Sequence, residues 1–276
     1  SYQVTFNKFD GGATRKAMLL IHNGGSEVEC DTILVRHVVT YPGTDFEPEA
    51  VAKREDGSDI IVAPMNIGAT KVMEEKDIKL ISSKETDEIY QDYFEKVGYY
   101  FQWGRKTPFP ASGAETTNTQ FTSVEEAESS ELLYANNASD GSWLSGSIPP
   151  DLWNAKGIEV EEAGSVIDIE KAAYDPCPTG WRIPTKTELK ALMAGDITSK
   201  KVDSGQYNSL KKGNVELRLP CGGTLYNRSL QAMGFSGLYW SSTLLTNLSG
   251  YRLDTYSAAV QTHNPIQGCS IRCVRE

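Results

Sequence analysis

Nothing in this sequence is long and apolar enough to span a bilayer as a helix, which takes about 18 residues; the longest apolar run, Ala17-Met18-Leu19-Leu20-Ile21, is strand-sized. Histidine is scarce. His22, His37 and His263 stand far apart, and among the cysteines only Cys269 and Cys273 are close, so the paired spacings of a zinc site are missing and no metal is expected. No GxSxG elbow is present, and Cys221-Gly222-Gly223-Thr224 reads as a tight turn rather than a phosphate loop. A nucleophilic hydrolase and a nucleotide-binding enzyme lack their parts, and neither cofactor nor catalytic residue is expected. Basic excess is lacking too: the net charge is −10 with a pI near 5.0. Such a surface repels phosphate backbones, which argues against nucleic acid as a partner. There is no internal repeat and no low-complexity tract. The chain opens at Ser1 without a leader or an initiator Met, so a processed or trimmed N-terminus is expected.

What is present is a soluble composition, 39% hydrophobic and 23% charged over 276 residues, enough for about two domains. Residues 1–48 read as β. Ala17–Ile21 and Thr32–Val35 flank Asn23-Gly24-Gly25, whose residues tolerate positive φ; this predicts a hairpin or part of a sandwich. Pro42, Gly43 and Pro48, then the polar stretch Glu49 to Asp59, predict a boundary, with a larger domain over 49–276. In that domain Ile89, Tyr93, Phe94 and Val97 have helical spacing, with Gly98 as the stop. Tyr99 to Trp103 reads as a strand. Residues 106–150, rich in Ser, Thr, Asn, Gly and Pro and carrying the acidic stretch Glu125 to Glu131, read as a long surface excursion. Thr185 and Glu188 make a capping box, followed by an apolar face of Leu189, Leu192 and Met193. Short strands return at 215–219, 238–242, 251–253, 258–261 and 270–274. The fold class is α+β: few helices and a twisted antiparallel sheet, preceded by a short β segment.

Five cysteines carry the compartment argument. Cys177, Cys221, Cys269 and Cys273 lie in the C-terminal hundred residues, which suits two disulfides and an oxidising compartment. Cys30 is left over as a buried thiol in a strand. Positions 269 and 273 would share one face of a final strand. Four cysteines allow three connectivities; joining Cys269 to Cys273 would curl that strand. The nested pattern, Cys177–Cys273 around Cys221–Cys269, keeps it straight. The outer closure spans 273 − 177 = 96 positions, for roughly 4 to 5 kcal/mol of chain-entropy stabilisation.

The segment Asp175-Pro176-Cys177-Pro178-Thr179-Gly180-Trp181-Arg182-Ile183-Pro184-Thr185 resembles the signature of the Fibrobacter succinogenes major paralogous domain. Four further blocks follow the family order. They are Ala63-Pro64-Met65-Asn66-Ile67-Gly68-Ala69-Thr70, Gly98-Tyr99-Tyr100-Phe101-Gln102-Trp103-Gly104-Arg105, Tyr239-Trp240-Ser241-Ser242-Thr243, and Ser270-Ile271-Arg272-Cys273-Val274-Arg275. The resemblance spans roughly 60 to 276. It implies a C-type-lectin-like fold, also similar to formylglycine-generating enzymes, in a surface-exposed or lipid-anchored protein of gut-type anaerobic bacteria. Membrane contact would be peripheral, through a lipid anchor. The family's own cysteine pair matches Cys177 and Cys273, and nested pairing resembles the long-form lectin pattern. Residues 1 to 42 resemble the tail of a small immunoglobulin-like module.

Calcium lectins of similar fold carry carboxylate or amide ligands in a Trp-Asn-Asp strand. Here Tyr239-Trp240-Ser241-Ser242 has none, so that mechanism is not expected; nor do Asp140 and Asp151 make a compact calcium loop. A cofactor-free oxidase would need Cys221 and Cys269 as a reactive pair, and nothing electropositive surrounds them in sequence. His263 reads as a residue of a surface turn. Among the five tryptophans, Trp103, Trp181 and Trp240 lie in the signature blocks, and Trp181 and Trp240 read as core. Trp143 and Trp153 sit in polar loops, either as exposed stacking faces or as caps folded back on the core. The stretch Tyr226 to Gly237 adds Asn227, Arg228, Gln231 and Phe235, where lectin-like folds vary their binding surface. The ligand-binding expectation is therefore Trp143, Trp153, Asn227, Arg228 and Phe235. The expected function is a non-catalytic module at the extracellular or outer-membrane surface, taking a glycan or a surface protein. The alternative is an assembly subunit of a surface or fimbrial structure; a divergent oxidase or hydrolase comes after both.

Overall fold

A computed structural model describes residues 15–22, 30–37, 40–46, 48–74, 87–136, 141–157, 169–194, 196–202, 205–212, 215–246 and 248–276. The chain divides into two compact units, Ser1–Pro48 and Glu49–Glu276. In the first, β1 (Arg15–His22) and β2 (Cys30–His37) pair antiparallel, from Arg15 opposite His37 to His22 opposite Cys30. The turn expected at Asn23-Gly24-Gly25 and the side chain of Cys30 lie outside the description.

The second unit opens with β3 (Glu49–Lys53) and β4 (Asp59–Val62), antiparallel with an irregularity between Ala50 and Ala52. The polar stretch 49–59 is a hairpin: Val51 and Ala52 are buried while charge collects on its turn. α1 (Asp87–Val97) ends at Gly98, whose φ of +75° lets its N–H reach back to Phe94 O at 2.9 Å. Tyr93 and Val97 of α1 pack with Met73, Tyr100, Phe109, Leu133 and Leu225 in one core cluster.

Strand character after Gly98 is brief. β5 (Tyr99–Tyr100) pairs with β6 (Phe109–Pro110). β7 (Thr116–Thr117), α2 (Val124–Glu128) and β8 (Leu133–Tyr134) follow, with β7 and β8 parallel. This corrects the reading of 106–150 as a surface excursion. Phe109, Phe121, Leu133, Tyr134 and Trp143 are buried. The organiser is Arg105, fully buried between the rings of Phe109 and Phe121 at 5.1 and 5.0 Å. It donates to Gln102 Oε1 and to the carbonyls of Ala127, Ser130 and Leu132 at 2.5–3.0 Å. A polar sequence can line the interior when one guanidinium takes up its carbonyls.

β9 (Trp181–Arg182) leads to α3 (Lys186–Met193), and here the capping box forms as expected. Thr185 Oγ1 accepts from Glu188 N–H at 3.1 Å and Glu188 Oε2 from Thr185 N–H at 2.9 Å. A meander of β10 (Asp196–Val202), β11 (Gly205–Lys212) and β12 (Val215–Leu219) comes next. The hairpin of β13 (Thr224–Tyr226) and β14 (Ser229–Gln231) follows. A second meander comprises β15 (Leu238–Thr246), β16 (Ser249–Asp254) and β17 (Ala259–His263). Leu189 and Leu192 of α3 pack with Val51, Ile60, Leu217, Leu219, Tyr239, Leu253 and Val274 as the second core cluster.

The last strand, β18 (Val274–Arg275), is shorter than expected and completes a four-stranded sheet in the order β3-β4-β18-β9. Upstream of it the chain serves several neighbours in turn. Cys269 exchanges backbone hydrogen bonds with Phe101, Ser270 N–H reaches Leu238 O, Ile271 O accepts from Ile67 and Cys273 O from Ala63. The described architecture is α+β, with few helices and antiparallel strands spread over small sheets of two to four strands rather than one large twisted sheet.

Candidate ligand-binding surface

The most legible sequence block turns out to be a structural knot. Asp175 Oδ1 accepts from Cys177 N–H and Lys171 Nζ, and Oδ2 from Ile183 N–H, all at 2.8 Å. Arg182 grips Glu188 through two bonds of 2.7 Å, and Arg54 adds a third at 2.8 Å. Burial raises the Glu188 carboxyl, but the Arg182 pair, the Thr185 N–H and Arg54 outweigh it and hold it below the ordinary value. Trp181 lies under the Arg275 guanidinium at 5.2 Å. Cys177 and Cys273 are joined by a disulfide with Cα atoms 6.0 Å apart, closing the expected separation of 96.

The second expected bridge is absent. Cys221 and Cys269 are both buried thiols. Because the segment before β18 is not one straight strand, positions 269 and 273 turn to different neighbours. Cys269 Sγ lies 3.6 Å from Arg252 Nη1 and 3.9 Å from Thr224 Oγ1, while Cys221 meets the Thr255 side chain and the Gly237 N–H. Burial pushes the Cys221 thiol up to about 12 and raises Cys269 as well, against the pull of Arg252. Both stay protonated at neutral pH, the opposite of a reactive cysteine.

Trp143 and Trp153 do not stand at the surface. They are 0% and 1% exposed. Trp143 Nε1 donates to Trp103 O at 2.8 Å, Trp103 Nε1 to Ser241 O at 2.9 Å, and Trp240 Nε1 to Phe101 O at 2.8 Å. Trp153 packs on Trp103 with centroids 5.1 Å apart. The reason is bulk: an indole gains more by leaving water than a polar loop loses by folding inward. Gly250 makes room, since a Cβ there would meet Trp103 at 2.9 Å.

Asn227, Arg228 and Phe235 are exposed. Asn227 and Arg228, with φ of +47° and +68°, form the tip of the β13–β14 hairpin, where Arg228 Nε donates to Thr116 Oγ1 at 2.7 Å. Phe235, 55% exposed, sits beyond the other end of that hairpin, about 10 Å away for a three-residue strand. The structure therefore separates the trio. A residue that sequence reasoning missed, Tyr256, stands 65% exposed on the turn after β16. Ser236 Oγ donates to Asp254 Oδ1 at 2.6 Å, Tyr256 N–H to the same oxygen at 2.9 Å, and Gly237 N–H to Thr255 Oγ1 at 2.7 Å. Two turns, 232–236 and 254–258, are thus laced together, each with an aromatic ring projecting. Each also carries an alanine in the left-handed region: Ala232 at φ +56° and Ala258 at +52°. Among the described residues, all four non-glycine positive φ values lie in these turns and the adjoining hairpin tip, the kind of strain that collects at working surfaces. No sequence signal pairs these two turns, because the register of β15 on β16, not spacing, brings them together.

No group of three or more His, Cys, Asp or Glu side chains able to hold a metal occurs among the described residues. No helix among them is long and apolar enough to cross a membrane. No family model, no curated protein and no solved structure matches this chain.

Proposed function

We propose that this chain is a non-catalytic binding module of an exported, surface-exposed protein, with a C-type-lectin-like second unit, and that it takes a glycan on the rim formed by Phe235 and Tyr256. The observation that carries the reading is the laced pair of strained turns, which holds two solvent-facing rings on backbone that cannot easily move. A sugar stacks its C–H face on such rings and hydrogen-bonds to neighbouring polar groups; Gln231, Ser257 and Gln261 stand on the adjoining turns and strands. The Cys177–Cys273 disulfide suits an oxidising compartment, and a lipid anchor upstream would place the module at the outer-membrane surface. The buried, protonated thiols favour binding over oxidase chemistry.

A glycan array followed by calorimetry tests this. Tyr256→Ala and Phe235→Ala are each expected to weaken the best-bound glycan about tenfold or more, ~1.4 kcal/mol, with the fold intact by circular dichroism. Trp143→Phe should leave affinity unchanged while lowering stability. Binding that survives loss of both rim rings would refute the assignment.

A further inference from the structure

Asp254 closes β16, and its two carboxylate oxygens meet different surroundings. Oδ1 accepts from Ser236 Oγ at 2.6 Å and from Tyr256 N–H at 2.9 Å. One donor belongs to the residue next to Phe235 and the other to Tyr256 itself, so the carboxylate sits at the seam between the turns that carry both rings. Oδ2 takes no hydrogen bond and no ion pair among the described residues. It is not sealed from solvent either: Asp254 is half-buried, and Oδ2 is not among the buried polar atoms left without a partner.

Other acids drawn into this unit differ. Asp175 has donors on both oxygens, and so has Glu188. Glu216 keeps one oxygen unbonded, but that oxygen is buried. Arg252, two residues back on the same strand face, does not neutralise Asp254. It is buried, and its Nη1 turns to Gln267 Oε1 and the Cys269 thiol.

A carboxylate fixed through one oxygen and open through the other suits a cation. An ammonium group donates to such an oxygen in a charge-assisted hydrogen bond, and the faces of exposed aromatic rings attract it as well. The net charge of −10 draws cationic ligands and repels acidic ones.

We propose that the rim takes an amino sugar with a free ammonium group, the ammonium on Asp254 Oδ2 and a C–H face of the sugar on Tyr256. The assignment rests on the glycan reading and names its ligand class.

The intact protein is titrated by calorimetry with a glucosamine tetrasaccharide and with its N-acetylated counterpart, which has the same skeleton and no charge. In mildly acidic buffer of low ionic strength the parent should bind the amine form about tenfold tighter or more, a preference that shrinks when salt is added. Asp254→Asn keeps an oxygen for the Ser236 and Tyr256 donors and removes the charge. It should bind the glucosamine tetrasaccharide about tenfold more weakly, with its affinity for the N-acetylated form and its circular dichroism unchanged. Equal binding of the two sugars by the parent overturns the amino-sugar inference and leaves the glycan reading standing; that comparison decides even where the variant misfolds. A folded Asp254→Asn that binds the glucosamine tetrasaccharide as tightly as the parent overturns the inference too. Binding of neither sugar, or tetralysine matching the glucosamine tetrasaccharide, would overturn the inference together with the glycan reading.

Discussion

Ala232 and Ala258 occupy a region of backbone space that costs an L-residue about 1 kcal/mol. Replacement by glycine relieves the Cβ clash while loosening the unfolded chain slightly. Ala232→Gly and Ala258→Gly are therefore each expected to raise stability by about 0.5 kcal/mol in urea denaturation, an unusual sign for a change to glycine. Loss of stability in both would mean that the turns are not strained. At this scale the sequence was partly legible. Thr185 and Glu188 announced their cap, because capping is local and needs only a spacing of three. Trp143 and Trp153 were not, because a loop tryptophan looks the same whether its ring finds water or other indoles. Arg105 gave no signal either: three of its four acceptors are main-chain carbonyls more than twenty residues away.

Among elements, the segment 175–185 and β18 show how far pattern reading reaches. The strand at 215–219 lies where alternation put it, and α1 ends at its glycine. The expected strand 270–274 shrank to Val274–Arg275, since each upstream residue bonds a different partner. That one difference decides the cysteines. Cys177→Ser is expected to cost about 4 kcal/mol, by the loop-closure argument for a separation of 96; reductant should lower the parent's unfolding midpoint and leave the variant's unchanged. Peptide mapping after native alkylation should find Cys221 and Cys269 unlabelled, and labelled only once the protein is denatured.

For the whole molecule, pH is the sharpest probe. Burial, then the nearby Arg252, push His263 down to about 4 from an ordinary 6.5, and its Nδ1 accepts from Asn264 N–H at 3.0 Å. The unfolded chain therefore takes up a proton first. Stability from His263 is complete above about pH 6.5 and is lost as pH falls towards 4. For a ring this exposed, solvent screening limits the effect to about 1–2 kcal/mol. Glu188, held below its ordinary value, adds a loss below pH 4.5. Asp175 and Glu128, raised mainly by burial, oppose both, since their folded carboxyls take up protons first. His263→Gln isolates the first contribution: between pH 7 and 4.5 its stability should fall less steeply than the parent's. Identical slopes would show that the imidazole is solvated.

Local chemistry by itself determined the α+β class, the Gly98 end of α1 and the capping box of α3, because these depend on residues a few positions apart. The Cys177–Cys273 closure was legible through resemblance and the arithmetic of four cysteines. Only the tertiary structure decided that the indoles face inward, that Cys221 and Cys269 remain thiols, and that the turns carrying Phe235 and Tyr256 are laced together. Each of these depends on which distant backbone arrives alongside, and cross-strand register and core packing set that over separations that spacing in the chain does not encode.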